Sequence, residues 1–585
     1  MSLRALAIVA AVALSGVVAC AKRPELPAPT NQSAHAGDHP AAPAAGPRTT
    51  LLGNLGTYQR PIKTSNAEAQ KFFDEGLTLL YGFNHDESFK SFERAAALDP
   101  AAPMPHWGMS LALGTNINDI APAERLKQGY GHLAEAEKRK AAGSEVEQGL
   151  VAALGKRYVD KPDLSAVAPG AKAEGLSPQV FAAAQAVREQ AYSNAMAALS
   201  KRFPDDLDVA TLYAESLMNL RPWKFYKSDG TPAPDTATIV GTLERVMKAN
   251  PQHPGANHYY IHAVEASKSP ERAVAAAARL ETLVPGAGHL VHMPAHIYIR
   301  TGEYAKSAKS NADAAVVDEK YIKATGATGL YPMMYYGHNL QFESAAAMFS
   351  GNLAQAQAAA QRTVQFADPI ADQMVMIEPF AAMELAVATR FGMWGLVLGS
   401  KAPAPTRAMQ TSLYHFARGA ALVGMGKTAD AEAELAALKQ SAAKIPADAM
   451  LGPANSAADV IAVAITDLTA RIAEAKGDTA GAIAGFTKAV AAEDRLGYNE
   501  PPDWLIPERE RLGATLIKAG KHAEAERVFR ADLKKNVGNP RSLFGLWRSL
   551  QAQKKADAAA TKALFDKAWA DADVALGDDL YSTKK

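Results

Sequence analysis

Along most of this chain apolar residues recur at spacings of three and four, the spacing that lays one stripe along a helix. Strict alternation rich in Val, Ile and Thr, which a half-buried strand needs, does not occur. The helical stretches come in units. "GEYAKSAKSNADAAVVDE" from Gly302, "GDTAGAIAGFTKAVAAED" from Gly477 and "GKHAEAERVFRADLKKNV" from Gly520 can be laid on one another. "GKTADAEAELAALKQSA" from Gly426, "GNLAQAQAAAQRTVQF" from Gly351 and "FNHDESFKSFERAAALDP" ending at Pro100 have the same shape. Each opens at a turn, usually a glycine, and another helix-length apolar-periodic segment precedes it. The pattern predicts an all-α array of about nine to eleven helix pairs between residues 65 and 575, interrupted near 115–175 and 221–235.

The unit resembles the tetratricopeptide repeat (TPR), a pair of helices about 34 residues long. That resemblance implies a right-handed superhelical solenoid. Positions 4, 7, 8 and 11 of each first helix pack inward, and positions 2, 5, 9 and 12 line a concave groove. Composition agrees with such a body. Of 585 residues 48% are hydrophobic and only 7% aromatic, so a core is available and helix is favoured. With 62 basic and 61 acidic residues the net charge is +1, too small a field to attract nucleic acid.

The chain opens "MSLRALAIVAAVALSGVVAC", a basic start followed by an apolar run too short to span a membrane, which reads as a secretory signal peptide. Its ending, Val17-Val18-Ala19-Cys20, resembles a bacterial lipobox, which implies cleavage before Cys20 and lipidation of its thiol. Cys20 is the only cysteine, so internal disulfides and thiolate metal sites are excluded. The Pro/Ala/Gly-rich stretch after it, which carries His35 and His39, reads as a flexible tether. The expected organisation is a signal peptide (1–19), a lipidated linker (20–55), N-terminal repeats (56–220), central His-rich repeats (221–365) and C-terminal repeats (366–585). The expected location is the bacterial cell envelope, lipid-anchored and facing the periplasm; Ala21 after Cys20 favours the outer membrane.

The chemistry concentrates in "NHYYIHAVEAS" and "GHLVHMPAHIYIR". With Gly302 at position 15, His296, His292 and His289 fall at positions 9, 5 and 2. In the preceding repeat, closing at Pro285, His258, His262 and Glu265 take positions 5, 9 and 12. In the following one, His338 takes position 2 and Gln341 position 5. Glu215 stands at position 9 of an earlier unit, and Arg300 at position 13 of the unit that carries His296. These positions lie on one face, within about 80° of one another, so the side chains converge on the groove wall. Imidazole is the commonest transition-metal ligand, and an i,i+4 pair lets two rings reach one ion. The expected ligands are His258, His262, Glu265, His289, His292, His296 and His338. The metal is zinc, copper, iron or manganese, all compatible with a site free of cysteine. Arg300, Glu215, Gln341 and Trp223 are expected to face a substrate. Two alternatives stay open: a polar pocket for a small molecule or peptide, and a hydrogen-bonded structural network. The "HYYIH" spacing is not that of a zincin, since Tyr259 stands where the general-base glutamate belongs.

"RPWKFYKSDG" at 221–230 offers Trp223 as a wall of the site. From "YNEPPDWLIPERERLGA" at 498–514, Glu500, Trp504, Arg509 and Glu510 could reach the groove from its far side. His85, His106, His132, His415 and His522 read as structural or exposed. "GFNHDESFKSFERAAALDP", "HWGMSLALGTNIN", "YAESLMNLRPW", "HPGANHYYIHAVEAS", "GHLVHMPAHIYIRTGEY" and "YNEPPDW" together are similar to a large family of bacterial TPR proteins, mostly of unassigned function; the resemblance supports fold and site rather than a reaction. Two functions follow as expectations. One is an envelope lipoprotein that binds a transition metal through its histidines and acts on a small molecule. The other is a non-catalytic scaffold that holds a peptide or protein partner in the groove.

Overall fold

The computed structural model describes residues 49–158, 178–227, 230–577 and 583–584. The expected signal peptide, Cys20, His35 and His39 lie outside the described residues. The described chain is an all-α solenoid of TPR-like helix pairs. Ala67–Tyr81 turns back as His85–Leu98, and Tyr304–Thr325 packs on Gly337–Ser350, which packs on Leu353–Ala367. Further pairs are Ala408–Gly424 with Thr428–Ala442, Ala457–Ala475 with Thr479–Glu493, and Glu508–Lys518 with His522–Lys535. A two-residue antiparallel pairing, Ala575–Leu576 with Thr583–Lys584, is the one departure from helix among named elements. No helix of the described residues is long and apolar enough to cross a membrane.

The repeat glycines explain the turns. Gly302, Gly351, Gly426, Gly477 and Gly520 have φ between +73° and +85°, a region that a Cβ penalises, so each ends one helix and re-aims the chain into the next. Buried alanines such as Ala308, Ala356, Ala431 and Ala525 then let paired helices approach closely.

The central repeats depart from this regularity in three places. The first helix of the histidine repeat is split into Gly288–His292 and Pro294–Thr301, because Pro294 has no N–H to continue the ladder. A π-helical turn, Pro332–Tyr336, leads into Gly337–Ser350 just before His338; such turns collect at functional sites. Gly288 is packed so tightly on the buried Asp318 carboxylate that no side chain fits there. Asp318 in turn accepts from Tyr331 Oη (3.1 Å) and Asn339 Nδ2 (2.7 Å).

Segments distant in sequence close on these repeats. Gly286 N–H donates to the Asn54 carbonyl (2.8 Å), and Leu52 and Leu55 pack against the first large core. From the C-terminal side, Tyr304 Oη donates to the Val537 carbonyl (2.9 Å), and Tyr498 Oη to Glu265 Oε2 (3.0 Å). The central histidines are therefore covered from both flanks.

Candidate metal centre

His258 and His262 sit one turn apart on Pro254–Val264, with Glu265 at its C-cap. His289 and His292 come from Gly288–His292, His296 from Pro294–Thr301 and His338 from Gly337–Ser350. All six rings meet. Ring centroids are 4.8 Å apart for His258–His262, 4.9 Å for His258–His289, 4.7 Å for His292–His296 and 4.8 Å for His292–His338. The nitrogens fall into two triads able to hold an ion each: His258, His262 and His289; and His292, His296 and His338. Between them lies Glu265, with Oε1 2.8 Å from His262 Nδ1 and Oε2 2.5 Å from His296 Nδ1.

The expected open groove wall is corrected here. His258 and His292 are 0% exposed, His262 2%, His289 and His296 3%; only His338 is half-buried. The cover is aromatic. Phe83 stacks on His289 (5.6 Å) and His262 (6.0 Å) and meets His258 edge-on (4.6 Å). Trp223 stands on His262 (5.1 Å), Tyr335 on His289 (4.6 Å), and Phe342 on His292 and His296. Phe83 and Trp223 both have left-handed backbone, φ +57° and +63°. That conformation is costly for residues with a Cβ and concentrates at functional sites.

The hydrogen-bond partners fix where ring protons can be. His258 Nδ1 is 2.5 Å from the Tyr81 carbonyl, which can only accept, so Nδ1 carries the proton. His262 Nδ1 donates to Glu265. His292 Nδ1 donates to Asn311 Oδ1 (2.7 Å), and Asn311 is oriented by its own donation to the Ser307 carbonyl (2.9 Å). His296 Nδ1 faces Glu265 as a close ion-pair contact, out of line for a full hydrogen bond. Nε2 is then a lone-pair acceptor on His258, His262 and His292, whereas His296, drawn toward its charged form by Glu265, can carry a proton on Nε2, and no hydrogen bond at Nδ1 of His289 fixes its tautomer. His292 Nε2 is 2.7 Å from His296 Nε2, His258 Nε2 is 3.1 Å from His289 Nε2, and His262 Nε2 has no hydrogen-bond partner among the described residues.

Charge agrees with that arrangement. Burial, reinforced by neighbouring imidazoles, holds His258, His289 and His292 well below the ordinary histidine value and lowers His338 to about 3. Burial also lowers His262, against the pull of Glu265. His296 is the exception: burial opposes its charge, but the Glu265 carboxylate wins and raises it. Burial alone would raise Glu265; the facing His296 and His262 override it and hold the carboxyl below the usual range. Glu265 thus holds two of the six rings directly. The donor set suits a cation: nitrogens on a tetrahedral ion at about 2.0–2.1 Å lie about 3.3 Å apart, and here the two nearest pairs are 2.7 and 3.1 Å apart with every donor of a triad within 4.8 Å of the others.

The other expected site residues divide. Arg300 lies one turn past His296; it donates to the Ser267 carbonyl (3.2 Å) and covers the Tyr498 ring (5.1 Å). Trp223 packs on His262, and Gln341 is half-buried near His338 on the same helix. Glu215 is elsewhere: it accepts from Asn219 and faces Arg157, within a separate buried polar group. Of the far-side segment, Tyr498 bonds Glu265, and Glu500 lies close enough to act on the charge of His296. Trp504 instead donates to Glu508 (2.8 Å), Arg509 pairs with Asp494 and Glu510 with Arg390. Phe83, Asn311, Tyr335 and Phe342 carried no signal in the sequence; each is an ordinary helix or turn residue until the fold brings it to the cluster.

No protein-family profile and no curated protein matches this chain. Among solved structures, the human IFIT1 dimer with m7Gppp-AAAA aligns over 86% of this chain and 90% of its own, at 10% identity and TM-score 0.29. Yeast Tom70 aligns over 85% and 96%, at 13% identity and TM-score 0.27. Superpositions of this quality carry no argument, and the repeat fold rests on the helix pairs themselves.

Proposed function

We propose that this protein binds a pair of transition-metal ions, one in each histidine triad, with Glu265 shared between them. The observation that carries the reading is the 2.7 Å approach of His292 Nε2 to His296 Nε2 while both Nδ1 atoms are engaged elsewhere. Two buried lone pairs so placed repel unless a proton or a cation lies between them, and buried polar atoms without partners are costly. Partners at Nδ1 that aim Nε2 inward are what metal-binding histidines use. Ions held there supply Lewis-acid activation of water or a small molecule, or redox chemistry with copper or iron. A scaffold gripping a peptide through these rings would need them at a surface, and five of the six are buried.

The reading includes an envelope location, with Cys20 lipidated and the body tethered to the membrane. It is supported by the sequence of residues 1–20. Cys20→Ala should release the protein into the soluble fraction or stall its processing; unchanged membrane fractionation would refute the anchor.

The metal reading is tested by titrating zinc or copper into chelator-stripped protein. His262→Ala and His296→Ala should each weaken binding at least a hundredfold. Because the two rings belong to different triads, each single change should cost one ion and the double variant both. Control changes at His85 and His522 should bind as wild type. Micromolar or weaker affinity in the unaltered protein would end the metal reading.

A further inference from the structure

We infer that the two triads are inequivalent, and that the ion on His292, His296 and His338 is the one that takes an exogenous small anion, with Arg300 as the anion's second anchor. This rests on the two-ion reading above.

The first triad is walled by rings. Phe83 meets all three of its histidines, while Trp223 and Tyr335 stand on His262 and His289. All three histidines are buried. Among the described residues an ion there would be faced by these aromatic rings and by Glu265.

The second triad differs on two counts. His338 is half-buried, the only imidazole of the six that is not closed off. Beside His296, one helical turn along, stands Arg300. Its guanidinium lies against the Ser267 carbonyl and the face of Tyr498, and its buried Nε has no hydrogen-bond partner among the described residues. Arg300 is half-buried and makes no ion pair among the described residues, and a guanidinium so placed is a group that recognises a carboxylate or similar anion. Three nitrogen ligands leave a position on a four-coordinate ion for such a group, the arrangement of catalytic rather than structural sites. One nearby feature opposes an anion: Glu500, which acts on both His296 and Arg300. That gives the inference a signed test.

The probe is azide on cobalt(II)-loaded full-length protein at pH 8, with cobalt counted by metal analysis and azide binding followed through the cobalt absorption bands. Wild type should hold two cobalt ions and answer azide with a saturable change from one of them. His289→Ala should hold one ion that still responds; His338→Ala should hold one that does not. Arg300→Met should keep two ions and weaken azide binding about tenfold or more, the loss of one charged hydrogen-bonding partner, and Glu500→Gln should tighten it. A response that survives His338→Ala, or azide affinity unmoved by Arg300→Met, overturns the inference while leaving the two-ion reading intact. Failure of the unaltered protein to bind cobalt overturns both.

Discussion

Two buried polar clusters in this protein obey different rules. Near the C-terminal repeats, Arg390 and Glu510 are both 0% exposed and meet at 3.1 Å, Asn539 Nδ2 donates to Glu510 (2.8 Å) and Asp532 (2.8 Å), and Ser542 Oγ donates to Asp532 (2.6 Å). Every contact there joins a donor to an acceptor. In the central repeats two contacts join ring nitrogen to ring nitrogen, across 2.7 and 3.1 Å, and each needs a proton or a cation between its two atoms. The first cluster is complete within the protein and serves stability. The second is complete only with something positive added, and the difference separates a structural network from a binding site more sharply than burial or residue type does.

The largest effect expected from breaking this comparison is on the complete side. Arg390→Met leaves Glu510 charged, buried and unpaired, and should lower stability by about 3–5 kcal/mol without changing metal stoichiometry, as read by chemical denaturation and metal analysis. On the incomplete side, Asn311→Leu frees the His292 Nδ1 proton that keeps Nε2 aimed at the site. It should weaken one of two ions by about ten- to a hundredfold, measured by competition with a chelator. His289→Phe should cost one ion, yet leave the chelated protein within about 1 kcal/mol of wild type. Among the described residues the replaced ring has no hydrogen-bond partner at Nδ1 and meets one, His258, at Nε2. A large loss of stability in that variant would place His289 with the structural network.

The smallest effect concerns Glu215, which sequence register had assigned to the site. Burial pushes it up to about 7 against the pull of Arg157. From its ordinary value of 4.5 up to about 7 the native protein holds a proton that the unfolded chain has released. This group's contribution is therefore full at low pH and lost as pH rises through that window. Glu215→Gln should flatten that fall in unfolding midpoint, with metal content unchanged. Midpoint curves that stay parallel across the window would show Glu215 ionised throughout.

Convergence of the histidines was legible in the sequence because it depends on two local periods. Four residues bring His258 to His262 and His292 to His296, and one repeat brings each pair beside the other. Their burial was not legible. It comes from Phe83, Trp223, Tyr335 and Tyr498, which reach the cluster from distant turns and inserts, two of them in left-handed conformations that no pattern of apolar residues announces. Glu215 was misplaced for a related reason: Arg157, which faces it, belongs to an irregular insert outside the repeat frame. The far-side segment was half legible, since the Tyr498–Glu500 end reaches the cluster while Trp504, Arg509 and Glu510 pair among the C-terminal repeats.

Whether the facing ring nitrogens hold two metal ions is decided by counting metal in the full chain purified without a histidine tag. Two transition-metal ions per chain are expected in the unaltered protein, one in either His289→Ala or His338→Ala, and none in the double variant. A protein that emerges folded with no stoichiometric metal, and takes up none when offered zinc, copper or iron, would contradict the two-ion reading.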